Sequence, residues 1–148
     1  MELTYSLWFM MIGSFIMQML VMSVIMTNTY KNITFSIGKF YISIIMSILM
    51  GLLEVCMYDI HMRLVSIHYY LTLIFLLFIF IYLYRNQMYI EDGDYLQEMI
   101  EHHSMAILTS DEILQKTKSE RVKKLAESII TTQEKEIEYM KKILKYDI

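Results

Sequence analysis

Proline is absent from the chain, and cysteine occurs once, at Cys56. The first absence removes the residue that most strongly breaks helices. The second excludes an intrachain disulfide and any Cys-x-x-Cys metal or redox motif. Charge is nearly missing from the first half: residues 1–84 carry Lys31, Lys39, Arg63, Glu2, Glu54 and Asp59, whose formal charges cancel. A basic patch of the kind that binds nucleic acid is also lacking, because the net charge of −3 lies wholly in residues 85–148, with ten Lys+Arg and thirteen Asp+Glu. No activated nucleophile, paired catalytic carboxylates or glycine-rich phosphate loop stands out. The expectation is therefore a protein that is not an enzyme.

What is present is hydrophobic: 56% of the 148 residues, with 15 methionines and only two alanines. Abundant Ile, Tyr, Lys and Met point to an AT-rich coding genome, viral or of a low-GC bacterium. Three apolar runs, at about 7–27, 40–57 and 67–84, each meet the roughly 20 residues that a spanning helix requires. Tyr5, Tyr30, Tyr41, Tyr58, Tyr69, Tyr82 and Tyr84 cluster near span ends, as an aromatic belt does. The first run lacks the basic start and small-residue cleavage site of a signal peptide. The expected organisation is a membrane domain over 1–86, a linker over 87–93 and a soluble helical hairpin over 94–148. The loop charges (Lys31, Lys39 and Arg85 against Arg63) mildly favour a cytoplasmic hairpin.

Two helical patterns follow the spans. The first, about 94–115, can be capped by Asp92 or Asp94, and Asp94-x-x-Gln97 fits a capping box; the second, about 118–144, follows Thr117-x-x-Glu120. Its apolar stripe is Val122, Leu125, Ile129, Ile137, Met140 and Leu144. Glu120–Lys124 and Glu138–Lys142 are spaced for ion pairing along a solvated face. The short connection predicts an antiparallel hairpin in which level residues have numbers summing to about 235. His102 then lies opposite Gln133, Met99 opposite Glu136 and Tyr95 opposite Met140.

Within "YLQEMIEHHSMAI", Met99 neighbours both His102 and His103, whereas the two imidazoles project about 100° apart. They are expected to serve different partners, one of them Gln133 or Glu136. Imidazole with thioether suits copper, Cu(I) in particular, and Glu136 or Gln133 would complete a site or orient a ring. An interhelical hydrogen bond is the plainer use of the same residues. In the spans, Met19, Met22 and Met26 lie on one face, and Met46, Met50, Glu54 and Met57 continue to His61 on another. That arrangement suggests an intramembrane path for a soft cation around a carboxylate. Methionine as a gap-filler in helix packing explains the same ladder. Asn32-Ile33-Thr34 matches a glycosylation sequon.

These residues resemble the domain of unknown function (DUF) 305 family. The matching positions are Asp92, Tyr95, Met99, Ile100, His102, His103, Ala106, Leu125, Ala126, Gln133, Glu136, Ile137 and Met140. Runs such as "SFIMQMLVM" and "FYISIIMSILM" are similar to its membrane-anchored members. The resemblance implies a ferritin-like helical fold, copper binding or tolerance, and Met99, His102, His103, Met105 and Met140 as ligands. It also implies an exported hairpin, opposite to the charge count. Two departures stand out: Leu108 and Thr109 where relatives carry methionine, and Glu101 where they carry proline.

The reading is an all-α, multi-pass membrane protein: three transmembrane helices, then an antiparallel hairpin that is half of a ferritin-like four-helix bundle. The expected function is copper binding, sequestration or tolerance. Its surroundings are membrane lipid and either a second copy or another partner covering the hairpin's apolar stripe. The competing reading is a structural membrane protein of a larger assembly, such as a virion or organelle complex, without metal chemistry.

Overall fold

The structure, a computed structural model, describes residues 2–147. All regular structure among them is helical. Helix α1 (Leu3–Ile16) passes through a π-helical segment, Met17–Val21, into α2 (Met22–Met26). A loop with one 3₁₀ turn at Tyr30–Asn32 leads to α3 (Ile37–Met62), followed by α4 (Ile67–Arg85), α5 (Asp92–Leu114) and α6 (Glu120–Tyr146). Three continuous helical stretches, Leu3–Met26, Ile37–Met62 and Ile67–Arg85, are long and apolar enough to cross a membrane. They coincide with the three runs expected from sequence; the first begins four residues earlier and ends one earlier, and the second extends three and five residues beyond its ends.

The described residues form two compact units. The first comprises the chain up to Val21 and Ile37–Tyr89. Its centre is α3, which packs against α1 and α4. The buried face of α3 carries Ser43, Ser47, Gly51, Val55 and Asp59, one residue every four. Small side chains let helix backbones approach closely in an apolar setting. The Ser47 hydroxyl accordingly reaches the Met11 carbonyl at 2.7 Å. Leu3, Leu7, Ile48, Val55 and Leu73 form the core.

Both long helices of this unit end without glycine. Arg63 (φ 54°) and Gln87 (φ 51°) take the left-handed position after α3 and α4. The next amides close back on Asp59 and Leu83, the Schellman pattern. The Asp59 carboxylate accepts from the Ser66 amide and hydroxyl, both at 2.7 Å, and so joins the end of α3 to the start of α4.

The second unit comprises Met22–Ser36 and the chain from Ile90 onward. Helices α5 and α6 form the hairpin, around Ile100, Ile107, Ile137 and Met140. Both caps differ from the sequence expectation. Helix α5 starts at Asp92 after Glu91, which makes no side-chain cap bond. Asp92 and Asp94 instead occupy the first turn, where carboxylates oppose the helix dipole's positive end. Ser119, not Thr117, caps α6 by accepting from the Val122 amide. Thr117 is spent on the Ser119 amide at 3.1 Å. Glu138 and Lys142 pair as expected, at 2.8 Å.

Candidate functional site

Helix α5 presents two polar clusters. On the side facing α6, His103 Nε2 lies 2.7 Å from Glu136 Oε2, and Gln133 Nε2 donates to the same oxygen at 3.3 Å. The His103 side chain is 13% exposed and that of Glu136 50%. The pairing is displaced one helical turn from the level register, which sets Glu136 opposite Met99. The cause is the lean of side chains toward their own helix's N-terminus. In an antiparallel pair the leans oppose, so side chains meet from α-carbons about 6 Å apart along the axis.

His102 turns outward. Its Nε2 lies 3.7 Å from Glu98 Oε1. That carboxylate raises the His102 pKa above its ordinary value, against an opposing contribution from burial. The adjacent rings therefore have separate partners. Met99 packs against the hairpin core and Met140 lies within it. Met105 is half-buried. Among the described residues, no three His, Cys, Asp or Glu side chains are grouped to hold a metal ion.

The intramembrane candidates are spread out. The Met19 sulfur accepts from Ser43 at 3.5 Å. Met22 and Met26 are half-buried in the second unit. Met50 and Glu54 are half-buried, and the Glu54 carboxylate accepts from the Ser6 hydroxyl. Met46, Met57 and His61 lie on the exposed surface of α3.

The second cluster was not foreseen from sequence. The loop after α2 lies along α5 and is clasped to it. Ser104 Oγ donates to Asn28 Oδ1 at 2.5 Å and accepts from the Asn28 amide at 3.0 Å and from Asn32 Nδ2 at 3.3 Å. Asn32 Nδ2 also donates to Asn28 Oδ1 at 3.1 Å, and Lys141 Nζ donates to Asn32 Oδ1. The Glu101 carboxylate accepts from the Ser23 hydroxyl and from the Thr34 amide, the latter at 3.1 Å. The Thr34 hydroxyl donates to the Gln97 carbonyl at 2.6 Å. Ser104 is 0% exposed and Asn32 4%. Ser104 uses its donor and both acceptor sites, and Asn32 uses both amide hydrogens and its carbonyl oxygen. Desolvation lowers the Lys141 pKa, and Lys31 adds to the effect.

Two sequence features fall on this cluster. Asn32-Ile33-Thr34 looks like a sequon, but its asparagine and threonine are consumed by α5. Glu101, the second feature, holds the loop through Ser23 and Thr34.

The fold and these clusters define an all-helical protein with three helices of membrane-spanning character and a hairpin clasped by the loop between the first two of them. The family model described as "Domain of unknown function (DUF305)" matches residues 86–145, which include the whole hairpin core. The chain is 35% identical over 135 residues to an uncharacterised protein, L153, of Acanthamoeba polyphaga mimivirus, covering 91% of this chain and 88% of that protein. No solved structure matches. The chain belongs to the DUF305 family.

Proposed function

We propose that the protein is a multi-pass membrane protein that holds a metal-binding helical hairpin and sequesters copper as cargo. The observation that carries this reading is the contact of His103 Nε2 with Glu136 Oε2 at 2.7 Å across two helices. A nitrogen and an oxygen donor are already together there, and a cation can replace the proton they share. Gln133, on the same carboxylate oxygen, orients it. His103 is mostly enclosed and Glu136 half open, so an ion would enter from the Glu136 side. The remaining donors would be thioethers of Met99 or Met105, or groups of a second hairpin, which outward-facing His102 is free to meet. Thioether and imidazole together favour copper, with sulfur selecting Cu(I). The family resemblance supports the same assignment.

The test is a Cu(I) titration of the full chain in detergent against His103→Ala, Glu136→Gln and His102→Ala. His103→Ala and Glu136→Gln should each weaken binding at least about tenfold, the usual effect of losing a ligand or its orienting partner. Unchanged affinity and stoichiometry in both would overturn the hairpin site.

The second reading is a structural membrane protein of a larger assembly. Burial of Met140 in the hairpin core favours it, since that sulfur is already used in packing. Elemental analysis of protein from its native membrane separates the two. Copper near one equivalent supports sequestration, and metal-free protein at fixed copy number supports the assembly role.

A further inference from the structure

The tip of the hairpin has a surface unlike the rest of the unit. Residues 116–124 hold five of the ten cations of residues 85–148, but only one of the thirteen carboxylates, Glu120. Lys116 is paired with Glu112 at 3.2 Å. Lys118, Arg121, Lys123 and Lys124 are exposed, and among the described residues none of them forms an ion pair. The expected Glu120–Lys124 pair does not form. Between these cations the apolar stripe of α6 emerges from the core. Val122 is 40% exposed, Leu125 61% and Ile113, at the end of α5, 41%. Arg121 and Val122 lie four and three residues before Leu125, so all three share one face of α6.

We propose that this tip is a docking element for the surface of an anionic phospholipid bilayer. The function proposed above neither requires it nor follows from it. Charge complementarity selects an anionic occupant. The small apolar area selects a bilayer over a folded protein: three aliphatic side chains fall far below the roughly 800 Å² per partner of a stable protein interface. A bilayer needs no shaped contact. It gathers unpaired Lys and Arg through its surface potential and accepts shallow aliphatic residues at the headgroup boundary. Long lysine and arginine stems suit that depth, keeping their charges among phosphates while their methylenes lie against acyl chains.

The experiment uses the full chain in nanodiscs of neutral phosphatidylcholine, which leave the tip available. Vesicles of phosphatidylcholine with or without phosphatidylserine are added and co-sedimentation is measured. Binding to serine-containing vesicles should exceed binding to neutral ones at least about tenfold and fall as salt is raised, as screened surface charge requires. Combined charge reversal of Lys118, Arg121, Lys123 and Lys124 should abolish it. Val122→Ser with Leu125→Ser should weaken it severalfold at constant charge, with the helical circular dichroism of both variants unchanged. Four outcomes overturn the proposal: no preference for anionic vesicles; equal binding to soluble polyanionic peptide, which indicates an acidic protein partner; insensitivity to the serine substitutions; or cross-linking through Leu125→Cys into dimers that fail to bind vesicles, which indicates a second copy on the patch.

Discussion

Asn32 and Ser104 are separated by 72 residues of chain and joined side chain to side chain, the asparagine amide donating to the serine hydroxyl at 3.3 Å. Ser104 is fully enclosed at this contact, with its donor and both acceptor sites in use. Ser104→Ala leaves the Asn28 amide and the Asn28 and Asn32 side chains short of a partner, with Asn32 buried. The expected loss is about 1–3 kcal/mol of stability, the usual cost of orphaned buried polar groups. Thermal unfolding in detergent should show this loss, with exposed Ser128→Ala near wild type as the control. Equal behaviour of the two variants would sink the clasp as a source of stability.

The same contact decides the fate of the sequon. A glycan on Asn32 Nδ2 would replace one of the two amide hydrogens that reach Asn28 and Ser104, and would need space at a residue 4% exposed. Protein expressed through a glycosylating secretory pathway and recovered folded should carry no sugar at Asn32. Glycosidase treatment should leave its gel mobility unchanged, while Asn32→Gln lowers its unfolding temperature. A folded, fully glycosylated fraction would contradict the placement of this loop.

In the first unit, a β-carbon on Gly51 would stand 3.0 Å from Met11 Cγ, 3.1 Å from Met11 Sδ and 3.2 Å from Leu7 Cδ1. Met11 is flexible and can yield a few tenths of an ångström, so Gly51→Ala should stay within about 1 kcal/mol of wild type. Gly51→Leu must part the helices and should cost about 1–3 kcal/mol, as overpacking does. Denaturation of the reconstituted protein by a titrated harsh detergent measures both. Indifference to leucine would mean that α1 does not pack on this face.

His102 titrates above 6.5 because Glu98 holds its protonated form. The stability this adds is fully present below the unfolded value of 6.5 and is lost as pH rises through the higher folded value. The ring is half exposed, so solvent keeps the contribution small. A histidine-resolved NMR titration should place His102 above its ordinary value, and Glu98→Gln should bring it back down. A midpoint indifferent to Glu98→Gln would remove the carboxylate as the cause.

Large-scale patterns were legible in the residues because length and composition alone determine them. Three apolar runs became three long helices, and Ile137, Met140 and Leu144 of the expected stripe line the hairpin's inner face, whereas Val122 and Leu125 stay exposed. Finer features needed side-chain directions. On α3 the eye falls on Met46, Met50, Glu54 and Met57, yet the helix packs through Ser43, Ser47, Gly51, Val55 and Asp59. Small residues at every fourth position carry more packing information in an apolar helix than conspicuous ones. The pattern sets one of the two histidines against Gln133 and Glu136, and the level register points to His102; the structure has His103 there, because the opposed lean of the two helices' side chains shifts the contact by a turn. Asn32 and Thr34 were hidden by a motif that assigned them another use.

The bonds between the loop at 27–36 and α5 also constrain biogenesis. A hydrogen bond near 3 Å cannot reach across a hydrocarbon layer of about 30 Å. Asn28 and Ser104 must therefore emerge on one face of any membrane the helices cross, which an even number of crossings between them satisfies. Ribosomal order adds a delay. The loop is made first, and Ser23, Asn28 and Asn32 lack their α5 partners until α3, α4 and α5 have been synthesised. In any such membrane, a chain in which only one of α3 and α4 crosses would hold Asn28 and Ser104 on opposite faces, where the clasp cannot close.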